Sequence, residues 1–100
     1  MEITKRENGG EIEVSISGRL DTNAAPELIK ELDVLLVDGV ESFVLDMAGC
    51  DYVASSGLRA ILGAQKKMNS LHGTMVVKNV IGDVMEVFEM TGFADILTFE

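Results

Sequence analysis

Polar and apolar positions alternate near the start of the chain. Ile3 stands among polar neighbours, and after Asn8-Gly9-Gly10 the residues Ile12, Val14 and Ile16 fall at every second place. Period two marks half-buried strands, and the Asn-Gly-Gly break predicts a tight turn, so the chain opens as a hairpin. Beyond Gly18-Arg19-Leu20-Asp21 the spacing changes to three and four residues, at Leu28, Leu32, Leu35 and Leu36. That spacing predicts a helix with Pro26 in its first turn, Thr22 or Asn23 as its cap and Gly39 as its C′ residue. Glu27, Lys30, Glu31 and Asp38 make its wet face.

The run Phe43-Val44-Leu45 does not alternate, which predicts a strand over Ser42 to Met47 in mid-sheet, covered on both faces. A polar loop, Ala48 to Ala54, leaves it, and Ser55-Ser56-Gly57 open a second amphipathic helix. Leu58, Ile61, Leu62 and Met68 form its buried arc; Arg59, Gly63, Lys66 and Ser70 lie opposite, and Gln65 interrupts the apolar arc without an account. Gly73, a strand Thr74 to Lys78, a short helix from about Ile81 to Thr91 closed by Gly92, and an apolar segment Ile96-Leu97-Thr98-Phe99 complete the chain. The order β-β-α-β-α-β-α-β predicts one α/β domain spanning residues 1–100. Its mixed sheet has four to five strands, helices pack on the sheet, and right-handed crossovers join the parallel strands.

Composition narrows the functions open to such a domain. A formal net charge of −9 and a pI near 4.4 repel phosphate backbones, so direct binding to nucleic acid or to an anionic membrane is not expected. The clustered cations are Lys5-Arg6 and Lys66-Lys67. One cysteine, Cys50, allows no internal disulfide and no metal-spaced set, which suits a reducing cytoplasm. The start MEITKREN lacks a signal-peptide core, and no apolar run approaches the roughly 18 residues of a membrane span, so neither export nor anchoring is expected. Cys50 reads as a loop thiol, His72 as a surface residue at a helix end, and the six methionines as core filler.

Several chemistries fail on spacing. A serine on a strand-to-helix turn resembles a nucleophile elbow, but G-x-S-x-G is absent and His72 is the only histidine. An unbroken helix from Ser56 to His72 separates the two by about 24 Å, against roughly 3 Å for a nucleophile–base hydrogen bond. Nucleotide hydrolysis lacks its G-x-x-x-x-G-K-[ST] loop. Asp46, at the end of an apolar strand, sits where a receiver domain keeps its acceptor aspartate, yet the early strands end in Arg6-Glu7-Asn8 and Ser17-Gly18-Arg19 without the carboxylates a magnesium site needs. Asp46 therefore reads as a residue that orders the loop, and Ser55 and Ser56, on spacing alone, as helix N-caps.

Three blocks carry a resemblance. GRLDTNAAPEL is similar to the G-x-[LI]-D-…-A-…-L segment of the bacterial anti-sigma factor antagonists of the STAS domain family. VLDMAGCDYVASSGLRAIL resembles that family's strand, loop and phosphorylated-serine signature, and VFEMTGF its late helix and turn. The blocks follow the family's order and spacing over most of the chain. In the family the acceptor is the serine two residues before the signature glycine, here Ser55; Ser56 occupies a position that other members fill with Ser, Thr or Ala.

The resemblance implies a non-enzymatic switch without a cofactor. The unphosphorylated form binds an anti-sigma factor that is also a serine kinase and so frees a sigma factor; phosphorylation of Ser55 dissolves the complex, and a serine phosphatase restores it. The expected contact surface comprises Asp21, Ala54, Ser56, Gly57, Arg59, Gly63 and Lys66, with Asp21 read equally as an Asx-turn residue before the first helix. Two departures stand out. Many members carry Asp before the acceptor where this chain has Ala54, and members commonly end in a further helix where this chain stops at Phe99-Glu100, a surface that could serve a weak homodimer. Two other readings stay open: a STAS domain acting as a structural or ligand-binding subunit without a phosphorylation cycle, and a phosphoryl-receiving component of another signalling system.

Overall fold

The computed structural model describes residues 1–100. Its elements run β1 (Glu2–Asn8), β2 (Glu11–Leu20), α1 (Ala25–Leu35), β3 (Ser42–Val53), α2 (Ser55–Ser70), β4 (Thr74–Lys78) and α3 (Gly82–Met90), followed by a 3-10 turn at Phe93–Asp95. The sheet is four-stranded in the order β1-β2-β3-β4; β1 pairs antiparallel with β2, and β2, β3 and β4 are mutually parallel. Asn8 pairs with Glu11 across the predicted turn, and Gly9, at φ +64, takes the left-handed conformation that a two-residue hairpin loop needs.

Ile12, Val14 and Ile16 of β2, Phe43, Leu45 and Met47 of β3, and Met75 and Val77 of β4 all point to one face, where they share a core with Leu28, Leu32 and Leu35 of α1, Ile61, Ala64 and Met68 of α2, and Val84 and Phe88 of α3. β3 does lie inside the sheet, but it is covered on one face only. Ser42, Val44 and Asp46 point the other way and are half-buried, as are Ser15, Val76 and Lys78 beside them. The expected two-sided cover misread Val44, whose neighbours on adjacent strands rather than a helix remove it from water. On that open face Glu13 accepts from Arg6 at 2.7 Å and pairs with Lys78 at 3.6 Å.

Local corrections follow from backbone geometry. The cap position of α1 is Ala24, not Thr22 or Asn23: the Asp21 carboxylate accepts from the N–H groups of Asn23 (3.1 Å) and Ala24 (2.9 Å), an Asx turn that launches the helix, and Pro26 occupies its first turn as predicted. α1 ends at Leu35, so Gly39, at φ +100, serves a separate turn closed by Val40 N–H on the Val37 carbonyl. The residues Ala48 to Val53, read as loop, continue β3 with register shifts opposite Ser15/Ser17 and Gly18/Arg19. Those bulges break the period of two, which is why the stretch looks like a loop in sequence. Cys50 is consequently a buried core residue; burial pushes its thiol up, and its Sγ–H donates to the Tyr52 carbonyl at 3.4 Å.

The last apolar segment is not a strand. It makes a single parallel bridge, Phe99 to Val77, with Val77 N–H donating to the Thr98 carbonyl and Glu100 N–H to the Val77 carbonyl; Phe99 then packs on Phe88, ring centroids 5.3 Å apart. Met47, Met68 and Met75 fill the core as expected, whereas Met90 is 79% exposed. His72 is exposed and takes φ +59 just after α2. Gln65, unexplained in sequence, is half-buried and donates to Asn69 one turn on, at 3.0 Å.

Candidate functional site

α2 begins where β3 ends, and its start is held by β2. The N–H of Ala54 donates to the Leu20 carbonyl at 2.9 Å, and Gly57 lies so close that a Cβ there would stand 2.7 Å from Leu20 Cγ and 2.9 Å from Leu20 O. Gly57 is buried, and its absent side chain lets the helix seat against β2. The first intrahelical bond runs from Leu58 N–H to the Ala54 carbonyl at 3.0 Å, which leaves the N–H groups of Ser55, Ser56 and Gly57 ahead of it, at the positive end of a 16-residue helix.

The two serines are not equivalent, and neither is the cap. Ala54, extended at φ −84 and ψ 169, occupies the N-cap position with no side-chain oxygen to offer. Ser55 is exposed; the Ser56 hydroxyl is buried and reaches no hydrogen-bond partner. Because the cap lacks an acceptor, Ala54→Asp is expected to raise the unfolding free energy by about 1 kcal/mol, measured by urea denaturation at neutral pH.

Asp21 follows Leu20 directly and so adjoins this start, although its carboxylate is engaged in the α1 turn. Opposite each other on β2 and β3, two residues before Asp21 and Ala54, lie Arg19 and Tyr52. The guanidinium stacks 3.9 Å from the ring centroid, both side chains exposed. Nothing in the sequence marks that pair, since only the bulged register brings them together. Arg59 and Gly63 continue down α2 and line a groove of about 440 Å³ between α1 and α2, together with Lys67 and, from α1 and its C-cap, Ile29, Leu32, Asp33 and Leu36. Lys66, about 100° round the helix from Lys67, is exposed and lies outside the groove. Of the face expected from spacing, Arg59 and Gly63 border this groove and Lys66 lies outside it; the α1 wall is a product of packing.

Asp46, expected to order a loop at the strand end, instead lies within β3 and ties its irregular stretch to Asn79 just after β4. Its Oδ1 accepts from Ala48 N–H at 3.0 Å and Asn79 Nδ2 at 3.1 Å, and these bonds hold its carboxyl below the usual carboxylate range, the Ala48 bond contributing most. A depressed folded-state pKa means that the associated stability is present above the ordinary Asp value and is lost as pH falls through the folded-state value. Asp46→Asn keeps an oxygen for Ala48 but removes the charge, and is expected to flatten the acid limb of thermal stability as pH falls from the ordinary Asp value through the lower folded-state value. Some slope remains, because Arg6 holds Glu13 low in the same way. An unaltered limb in melts recorded across that range would refute this.

An open sheet faced by helices on one side, with a hydroxyl displayed at a helix N-terminus, defines a small α/β domain of known type. The chain belongs to the STAS domain family, whose model matches residues 2–100. It is 31% identical over 96% of its length to the candidate anti-sigma factor antagonist BtrV of Bordetella bronchiseptica, covering 83% of that protein. It is 28% identical over 85% of its length to the anti-sigma-B factor antagonist of Staphylococcus aureus, covering 79% of it. Among solved structures its fold matches the Bacillus cell fate determinant SpoIIAA, an anti-sigma factor antagonist. The unphosphorylated form aligns with a TM-score of 0.79 at 16% identity over 99% of this chain and 87% of that one; the phosphorylated form aligns at 0.78, 15%, 99% and 91%. No helix is long and apolar enough to cross a membrane.

Proposed function

We propose that this protein is an anti-sigma factor antagonist switched by phosphorylation of Ser55. In the unphosphorylated state it binds an anti-sigma factor that is also a serine kinase and so releases a sigma factor in the cytoplasm. The kinase brings ATP and the base, a phosphatase reverses the modification, and the domain itself catalyses nothing. The observation that carries this reading is the contrast at the start of α2: Ser55 is exposed beside unengaged helix N–H groups, while the Ser56 hydroxyl is turned inward where a kinase cannot reach it. The names of the relatives support the same function, and SpoIIAA, of the same fold, is known in a phosphorylated form. Asp21, Ala54 and Arg59, with the Arg19–Tyr52 stack near the ends of β2 and β3, form the surface that meets the kinase.

Candidate serine kinases with ATP, followed by mass spectrometry of the wild type and Ser55→Ala, test the assignment. The expected result is one phosphate on Ser55 of the wild type and none on the variant. Phosphate on Ser56, or none with any kinase, would overturn it.

A further inference from the structure

α2 carries Arg59, Lys66 and Lys67 and no acidic residue along its 16 positions, whereas the remainder of the chain holds five cations against 17 acids, a formal −12. None of the three cations joins the molecule's ion pairs, which are Lys5–Glu31, Arg6–Glu13 and Lys78–Glu13. Two of them, Arg59 and Lys67, line the α1–α2 groove. They are eight residues apart, hence about 12 Å along the helix, and Gly63 lies midway with nothing within 4 Å of where its Cβ would be. The floor is apolar, from Leu32, Leu36, Ala60 and Ala64, and on the α1 rim Ile29 remains 42% exposed. The α1 side adds one carboxylate, Asp33, so the groove holds two cations against one acid on a chain of net charge −9, and its α2 wall is basic.

We propose that this groove seats an acidic amphipathic helix of a partner protein. The partner's apolar ridge lies on the floor, its backbone approaches α2 at Gly63, and carboxylates two turns apart meet Arg59 and Lys67. That the partner is the anti-sigma factor rests on the antagonist reading. A second copy of this chain is a poor occupant, because each copy carries −9 and the two repel. The groove begins one turn beyond Ser55, about 6 Å along the axis, so a phosphate there acts on its near end and leaves the Lys67 end untouched.

Two arms test the groove. In the first, the full chain and its Gly63→Leu, Lys67→Glu and Arg59→Glu variants are measured by surface plasmon resonance against the anti-sigma factor that phosphorylates Ser55. Gly63→Leu places a Cβ in open space and an isobutyl group toward the groove, and is expected to speed dissociation about tenfold or more. The charge reversals are expected to slow association roughly fivefold at low salt and to flatten its salt dependence. Melting temperatures at or near the wild type confirm that all three fold. In the second arm, the ¹⁵N-labelled chain is titrated with a synthetic amphipathic helix bearing glutamates at i and i+7, and with its lysine counterpart. Shifts at Ile29, Leu36, Gly63 and Lys67 for the glutamate peptide alone support the proposal. Unchanged kinetics of all three variants, with Ser55 still phosphorylated, would overturn the groove while the antagonist reading stands. Absence of phosphorylation with groove shifts intact would remove that reading and keep the groove. Scattered shifts, equal shifts for both peptides, or shifts that grow with protein concentration alone would each overturn it.

Discussion

Phosphate on Ser55 is expected to weaken binding to the anti-sigma factor by roughly a hundredfold while leaving the fold intact. A phosphoserine carries about −1.5 to −2 charges, and at the start of α2 the N–H groups of Ser55, Ser56 and Gly57 and the helix dipole can receive that charge without disturbing the core. The same charge inside an interface has to shed its water. If desolvation and contact with like charge cost even about 3 kcal/mol, the dissociation constant rises about a hundredfold. Calorimetric titration of enzymatically phosphorylated and unmodified protein against the partner measures the loss, and thermal unfolding of the two free forms measures the fold. Equal affinities would defeat the switch, and a fall of many degrees in melting temperature would show that phosphate acts by unfolding instead. Ser55→Asp, with one charge and no tetrahedral phosphate, should reproduce only part of the effect.

Replacing Leu20 by Ala should cost about 2–5 kcal/mol, because the side chain is fully buried at the junction of β2, β3 and α2. Gly57→Ala should cost about 1–3 kcal/mol at the same junction, since its methyl would press on Leu20 Cγ and on the Leu20 carbonyl, which cannot move without breaking its bond to Ala54. The double variant is expected to be less damaging than the sum by at least about 0.5 kcal/mol, because the new methyl enters space that Leu20 has vacated. Urea denaturation of the four proteins closes the cycle. Strict additivity would mean that the helix start is not seated by this contact. The outcome matters for the switch, because the exposure of Ser55 and the burial of the Ser56 hydroxyl both depend on how α2 sits on Leu20.

Most elements were legible because their causes are local. Alternation at Ile12, Val14 and Ile16, three-four spacing from Leu28 to Leu36, and the left-handed glycines at Gly9 and Gly92 each report a conformation set within a few residues. The failures have a common physical source. Ala48 to Val53 read as loop because bulges against β2 replace the period of two, and a bulge is a property of a strand pair. Val44 suggested cover on both faces of β3, whereas an apolar residue on an open sheet face is partly sheltered by its own strand neighbours. Ile96–Phe99 has strand-like composition, yet pairs with β4 at one residue only.

The same division runs through the site. Sequence alone placed two serines at the start of an amphipathic helix, singled out Ser55 through the family pattern, and set Arg59, Gly63 and Lys66 on one side of that helix; each of these is a matter of residue identity and order. Which serine faces solvent, which residue caps the helix, and whether Arg59 borders a groove were decided by tertiary structure. α2 is rotated and positioned by Gly57 on Leu20 and by α1 across Leu32 and Leu36, and those contacts join residues far apart in the chain. Helical periodicity says which residues share a face; only packing says what that face meets.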